Sequence, residues 1–463
     1  MLTPVVLLAD VWGSSAFAPY RDRPAALAAG GVAGLALVAV GAVVLDRRPT
    51  VFVLLVAATL PFRVPITIGG ARANLLVPLY IVLAAGALAY VARAWRAPPA
   101  DASRSPGPVE WTLAATLVVY ALQATYSSDV GQAVQHLAFF YVPFALLFVL
   151  LVRVEWTPRL LAAAFGVLAA LAVLNAAIAL VEVAVRGVLW NDKLRESNTY
   201  NPYFRANALF YDPNILGRFL VVVMALAASA VAAARGRREV AAGGLLLAVL
   251  FAGLVTTLSQ SSFIALLVAL AVVVALAGYP RLVAVAAAAC AVAGVLVLLA
   301  APGAVGLHSD SGSALRKATS GRTDLVRGGA DLFGERPVVG FGSGSFEHEY
   351  RERHRQVGTD VSASHTTPLT IAAEQGLPGL ALYLVLLVVA VGVLVRAASG
   401  DVARIAVAAA FAALVAHTLV YAAFLEDPLT WALLAVGVAL AALPGAADSR
   451  AARGRREPSA AAA

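Results

Sequence analysis

Long apolar runs, one after another, leave this chain few folds to choose from. They fall at about 25–45, 50–62, 73–92, 111–126, 136–152, 159–185, 213–234, 240–257, 261–278, 281–301, 369–396, 402–424 and 429–445. Most reach the roughly 18–20 residues that a helix needs to cross the hydrocarbon of a bilayer. They do not alternate apolar with polar residues, as the strands of a membrane β-barrel do. Composition agrees: 61% of the 463 residues are hydrophobic and 13% are charged, whereas a soluble domain carries roughly 25% charged residues. The sequence therefore predicts an all-α, polytopic transmembrane helical protein of about 12–14 spans. The segment at 50–62 is short and ends at Leu60-Pro61, so it is expected to be broken or re-entrant. A weak segment at 2–18 ends in Ala16-Phe17-Ala18, but it has no basic start and Pro19 follows. It reads as an uncleaved, peripheral or marginal span. No internal repeat is evident, which argues against a transporter built from inverted repeats.

Charge placement gives an orientation. Net charge is +8, carried almost wholly by arginine. In a membrane protein this first marks cytoplasmic loops rather than a nucleic-acid partner. Arg47-Arg48, the Arg93–Arg104 linker, Arg153 with Arg159, Arg235 to Arg238, Arg281, Arg396 with Arg404, and the Arg450–Arg456 tail fall on alternate loops. If these are cytoplasmic, the loops at 62–72, 127–135, 186–212, 258–260, 302–368 and 425–428 are outside. The organisation expected is an N-terminal transmembrane bundle over 1–301 with an outer loop at 186–212. An extracytoplasmic loop domain with amphipathic helices follows at 302–368. Then come C-terminal transmembrane helices at 369–445 and a disordered cytoplasmic tail at 446–463. The single cysteine, Cys290, sits inside an apolar run and excludes an intrachain disulfide.

Three polar stretches stand out. In the first, Arg205 precedes Asp212-Pro213-Asn214, where Asp212 is a good N-cap and Pro213 a good first helical residue. That places the positive end of a helix dipole, with its free N–H groups, at the outer face beside an arginine. The arrangement suits an anion, and it also suits nothing more than a capped helix. Arg218, five residues further on, is an arginine inside a span, a costly position that is usually functional or paired. In the second stretch, Thr256-Thr257-Leu258-Ser259-Gln260-Ser261-Ser262, the hydroxyls are read mainly as satisfying helix ends. The third runs from Gly321 to Gly379. It opens with an amphipathic helix that carries Leu325, Val326, Gly329, Leu332 and Phe333 on one face. The turn Gly340-Phe341-Gly342-Ser343-Gly344 follows, without the strand before it or the lysine after it that a phosphate loop requires. Near its end, His365 precedes Thr367 and Pro368, which are read as helix cap and opening. A positive helix end favours neutral imidazole, which can accept a proton. Glu374 lies two turns on, and Gly376 with Pro378-Gly379 are expected to kink that helix. No residues stand at metal-ligand spacing, so no metal or other cofactor is expected.

As an ordered set these motifs resemble the O-antigen ligase/polymerase-like family of bacterial polysaccharide membrane proteins. The resemblance rests on Arg205 followed by Asp212-Pro213-Asn214-Ile215-Leu216-Gly217, then Ser259, then Gly321-Arg322-Thr323-Asp324. It continues with Pro337 to Gly344, Ser364-His365 and Glu374-Gln375-Gly376-Leu377-Pro378-Gly379. It covers about residues 200–395; Thr366 and Gln260 replace the asparagine and arginine usual in the family. It implies an architecture of the GT-C-like kind and a metal-independent, inverting glycosyl transfer outside the cytoplasmic membrane. The implied donor is a glycan on undecaprenyl diphosphate, and the acceptor is a sugar hydroxyl. His365 would take the acceptor proton, and Arg205 and Arg322 would hold the diphosphate and the charge that grows on it. Arg218, Arg327, Asn214, Tyr211 and Glu374 are expected to bind substrate around them. Two other classes stay open: a transporter or flippase of lipid-linked oligosaccharide, with charges along a mid-membrane path, and a non-catalytic glycan-binding membrane protein, in which His365 is dispensable.

Overall fold

The computed structural model describes residues 24–62, 64–68, 71–96, 105–200, 203–285, 322–353, 364, 366–398 and 400–443. The expected segment at 2–18, most of 281–301, residues 302–321 of the outer loop and the tail lie outside the described residues. So do His308, His354 and His365.

The chain opens with α1 (Pro24–Arg47) and α2 (Pro49–Thr59), a hairpin of β1 (Val64–Ile68) and β2 (Ala71–Leu75), then α3 (Val77–Arg96) and α4 (Pro108–Ala124). Next, α5 (Val130–His136) passes through a π-helical turn, Leu137–Tyr141, into α6 (Val142–Val152). After α7 (Pro158–Val185) and the short α8 (Asp192–Tyr200) come α9 (Pro213–Ala233), α10 (Arg237–Thr257) and α11 (Gln260–Leu276). The later helices are α12 (Arg322–Glu335), α13 (Phe346–Arg353), α14 (Thr367–Ala397), α15 (Val402–Thr418) and α16 (Pro428–Ala441). Among the described residues, seven helical stretches are long and apolar enough to cross a membrane, and α2, α11, α15 and α16 are shorter apolar helices. This is an all-α, polytopic membrane fold.

Each apolar segment predicted within the described residues is helical, and several helices start by the same chemistry. Thr157, Asp212 and Asp427 each accept a hydrogen bond from a backbone N–H of the turn they open, and a proline follows each of them. Proline is tolerated there because its missing N–H would have no helical partner. Three details differ from the sequence expectation. The segment at 62–76 contains an antiparallel hairpin, with Ile68 opposite Ala71. The cap of α14 is Thr366, one residue earlier than expected, with Thr367 as its first helical residue. Finally, α15 ends at Thr418 rather than near 424, because the chain from there to 427 is drawn around a buried arginine.

The buried hub is α9. Over its apolar window 72% of residues are buried, against 11% for α1, so α9 is central and α1 is peripheral. It packs on α7, α10, α11 and α15. Small residues permit the close approach that replaces the hydrophobic drive inside lipid. A Cβ on Gly217 would lie 2.3 Å from Ser262 Oγ, and one on Gly253 would lie 2.5 Å from Ala176 Cβ.

Contacts sort the loops into two sets. At one end Arg96 and Arg93 meet Asp46, Arg153 lies over the Tyr90 ring, and Arg404 donates to the Leu443 carbonyl. At the other end, the 125–129 turn is bonded to the 339–343 turn. There too Arg205 reaches the end of α10, and the 422–427 loop reaches α9. The arginine-rich loops and the polar loops thus occupy opposite ends, as the charge alternation predicts. On the polar end, α12 and α13 form a small cap whose buried residues are Leu332, Phe341, Phe346, Tyr350 and Ala373. Arg353 holds it by a two-pronged bond to Glu335, 3.0 and 2.6 Å, and a further bond to Glu349 at 2.5 Å. Of the expected face of α12, Leu332 is buried and Val326 is exposed.

Candidate active site at the polar end

Arg205 is half-buried before the N-terminus of α9. Its backbone is clamped by Asn198, whose amide donates to the Arg205 carbonyl at 2.9 Å and accepts from its N–H at 3.0 Å. Its guanidinium donates from Nε to the Thr257 carbonyl, 2.9 Å, and from Nη2 to Asn214 Oδ1, 3.2 Å. That carbonyl is a free helix-end acceptor of α10. Among the described residues Nη1 has no hydrogen-bond partner. Asp212 caps the helix as the sequence predicts, accepting from Asn214 N at 2.6 Å. Asn214 is therefore a second layer behind Arg205, and its side-chain oxygen also accepts from Ser259 Oγ at 2.9 Å.

The loop carrying Arg205 is anchored from below. Glu182, buried near the end of α7, accepts from the backbone N–H groups of Leu189, Asn207 and Ala208 at 2.8–3.0 Å. Three amides around one carboxylate tie residue 189 to residues 207–208 across this loop. The Tyr211 side chain is half-buried, and its carbonyl accepts from Asn191 Nδ2 at 2.6 Å.

Arg218, expected to contact substrate, is engaged by groups of this chain. It is buried in α9, where Nη1 donates to Asp427 Oδ2 at 2.5 Å and to the Ala423 carbonyl at 3.1 Å. Nη2 donates to the Ala422 carbonyl, 3.1 Å, and Nε to His417 Nδ1, 3.3 Å. Its guanidinium also lies over the Tyr421 ring. Ala423 adopts a left-handed backbone, φ 75°, in the turn that presents these carbonyls. A buried guanidinium is tolerable only when so fully engaged.

Glu374 is likewise turned inward. The kink in α14 is at Gly376, φ 64° and ψ −160°. The Gly340–Gly344 turn lies against it: Gly342 N donates to the Glu374 carbonyl, 2.8 Å, and Leu377 N to the Pro337 carbonyl, 2.8 Å. The Glu374 carboxylate accepts from Gly344 N at 2.9 Å and Phe346 N at 3.2 Å. The glycine turn thus presents its amides inward, where they meet this chain's own Glu374 carboxyl group. These bonds tie the α12–α13 cap to the kink. Ser127 and Ser343 complete the weld from the α4–α5 turn.

Of the remaining expected residues, Arg327 is exposed on α12. Arg322 opens α12, and its side chain lies outside the described atoms. His365 also lies outside; it stands one residue before the cap of α14. Just beside it, Ser364 Oγ meets Thr370 Oγ1 at 2.8 Å and donates to the Thr366 carbonyl at 2.8 Å, tying the start of the helix down.

Sequence reasoning passed over His417, Asp427 and His136. A signal existed for His417: a histidine inside an apolar segment is a costly group that demands a partner. His136 sits at the π-helical turn, between Tyr120 Oη at 3.0 Å and Gln132 Nε2 at 2.8 Å, with Glu426 3.7 Å away. No sequence pattern announces that arrangement.

Fold and cluster together define a multi-pass helical membrane protein with a polar site gathered at one end of its bundle. Residues 244–384, which run from α10 into α14, are similar to the family described as O-antigen ligase. No curated protein matches the chain.

Proposed function

We propose that this protein transfers glycan from an undecaprenyl-diphosphate-linked donor to a sugar hydroxyl at the outer face of the cytoplasmic membrane. The observation that carries this reading is Arg205: a guanidinium fixed through Nε and Nη2, with Nη1 unpartnered among the described residues, beside the N-terminus of α9. A positioned cation at a helix N-terminus is suited to a phosphate oxygen. As the glycosyl–oxygen bond breaks, its electron pair passes to the departing diphosphate, where such a group lowers the barrier. Arg322 is the proposed second cation. His365, ahead of the N-terminus of α14, is the proposed base. It takes the proton of the acceptor hydroxyl, whose oxygen attacks the anomeric carbon from the opposite face and inverts it. No metal is needed in this scheme, because the diphosphate is already an activated leaving group.

The test is glycan transfer by purified protein given lipid-linked donor and acceptor. His365→Ala is expected to lose about 10²–10⁴-fold in rate. His365→Gln should lose nearly as much, since it hydrogen-bonds but takes no proton, while His348→Ala should transfer normally. Near-wild-type transfer by His365→Ala overturns the proposed base. If Arg205→Ala abolishes donor binding while no His365 variant changes any rate, the protein is a glycan-binding rather than a transferring protein.

A further inference from the structure

A continuous chain of hydrogen bonds joins Arg218, inside α9, to Arg205, in the loop before it. Arg218 Nε donates to His417 Nδ1, 3.3 Å. His417 Nε2 lies 3.1 Å from Ser261 Oγ, and Ser261 Oγ 3.1 Å from Ser259 Oγ. Ser259 Oγ donates to Asn214 Oδ1, 2.9 Å, which also accepts from Arg205 Nη2. Ser262 Oγ adds a second donor to Ser259 Oγ, 2.8 Å. Ser259, Ser261 and His417 are all 1% exposed or less, so no solvent competes with these bonds.

The direction of every bond in this chain is forced, and it is forced from both ends. Arginine only donates. The Asn214 atom facing Arg205 must therefore be its oxygen. Ser259, facing the same oxygen, must donate to it with its one hydrogen, so Ser261 must donate to Ser259. Ser261 then has no hydrogen left for His417, and His417 Nε2 must carry one. From the other end, the Arg218 Nε–H requires a bare lone pair on His417 Nδ1. The two requirements meet in one tautomer: hydrogen on Nε2, none on Nδ1. Serine alone could turn its hydroxyl either way, and the chain would then be ambiguous.

We infer that His417 is a positioning residue for Arg205. Acting through Ser261, Ser259 and Asn214, it fixes the acceptor that aims the guanidinium at the donor diphosphate. The inference rests on the proposed function, in that it takes Arg205 to bind the diphosphate. It assigns work to three residues, Ser259, Ser261 and His417, that touch no substrate.

The test uses the full-length protein in detergent and undecaprenyl diphosphate as the probe. Its affinity is measured for wild type, Arg205→Lys, His417→Asn, His417→Gln, Ser261→Ala and the double variant Arg205→Lys/His417→Asn. Glutamine extends an N–H to the Nε2 position and can still donate to Ser261. Asparagine reaches only the Nδ1 position and cannot. His417→Asn and Ser261→Ala are each expected to weaken binding about tenfold, the size of one hydrogen bond to a charged group. His417→Gln should recover most of that loss, and the double variant should bind no worse than Arg205→Lys alone. Ser261→Ala leaves the Arg218–Asp427 pair untouched, so it reports on the relay even if His417→Asn unfolds. Equal losses in His417→Gln and His417→Asn, wild-type affinity in Ser261→Ala, or losses that multiply in the double variant overturn the inference. Failure of the proposed function looks different: the wild type binds no undecaprenyl diphosphate, or Arg205→Lys binds it as well as wild type does.

Discussion

Arg218 in α9 and Asp427 at the head of α16 lie 2.5 Å apart, although 209 residues of chain separate them. Both side chains are almost wholly buried, at 2% and 3% exposure. Asp427 does two things there. Its Oδ2 neutralises Arg218, and its Oδ1 accepts from Leu429 N at 2.9 Å and caps α16. The pair therefore closes the bundle across its sequence span and fixes the 419–427 loop at the polar end.

Removing one partner leaves a buried charge alone. Asp427→Ala is expected to lower stability by about 3–5 kcal/mol, read from unfolding of the detergent-purified protein. Arg218→Met with Asp427→Asn should recover much of the loss, because no charge is stranded and asparagine still caps α16.

Glu374 holds two backbone amides of the glycine turn. Glu374→Ala leaves both without an acceptor, at about 1–3 kcal/mol for each. Glu374→Gln retains one acceptor oxygen and should fall between. Limited proteolysis within 336–345 reports the loosened turn; a cleavage pattern like that of wild type would remove this structural role.

Gly376 sits in a backbone region that essentially only glycine populates. A Cβ there would also lie 2.4 Å from the Val338 carbonyl oxygen. Gly376→Ala is expected to cost at least about 1–3 kcal/mol and to detach the cap, seen as a loss of thermal stability beyond that of Leu377→Ala, its exposed neighbour.

Arg353 holds the Glu335 carboxyl below its ordinary range by direct hydrogen bonding. A lowered folded-state pKa means the stabilisation is present above the unfolded carboxylate pKa and fades as pH falls through the folded one. Glu335 is close to half exposed, so screening keeps the contribution below about 1 kcal/mol. Glu335→Gln should therefore be slightly less stable than wild type at neutral pH and equal to it in acid. A gap of the same size at both pH values would rule out the ion pair as its source.

Orientation is checked by cysteine labelling in a Cys290→Ser background. Val338→Cys, exposed at the polar end, should react with an impermeant thiol reagent in intact cells. Glu155→Cys, exposed at the arginine-rich end, should react only after lysis. The reverse result would turn the bundle over and place the candidate site in the cytoplasm.

The sequence by itself determined where the helices lie, because a run of about 20 apolar residues in lipid has no other way to satisfy its backbone. It also determined how α9 begins, since Asp212 and Pro213 act on the N–H groups beside them. The grouping of polar loops at one end followed from arginine placement. What only the tertiary structure decided is which buried polar groups meet. The sequence flags Arg218 as a residue that must find a partner, yet nothing local names Asp427 or His417. Glu374 reads as a free carboxylate near a histidine, until the fold shows the Gly344 and Phe346 amides closing on it. The serines after α10 read as helix-end hydroxyls, until His417 and Asn214 turn them into one directed chain. The physical reason is the same in each case. Burial obliges every polar atom to be satisfied, but the partner comes from whichever helix packs alongside, and that is settled by the fit of small residues such as Gly217 and Gly253 across distant helices.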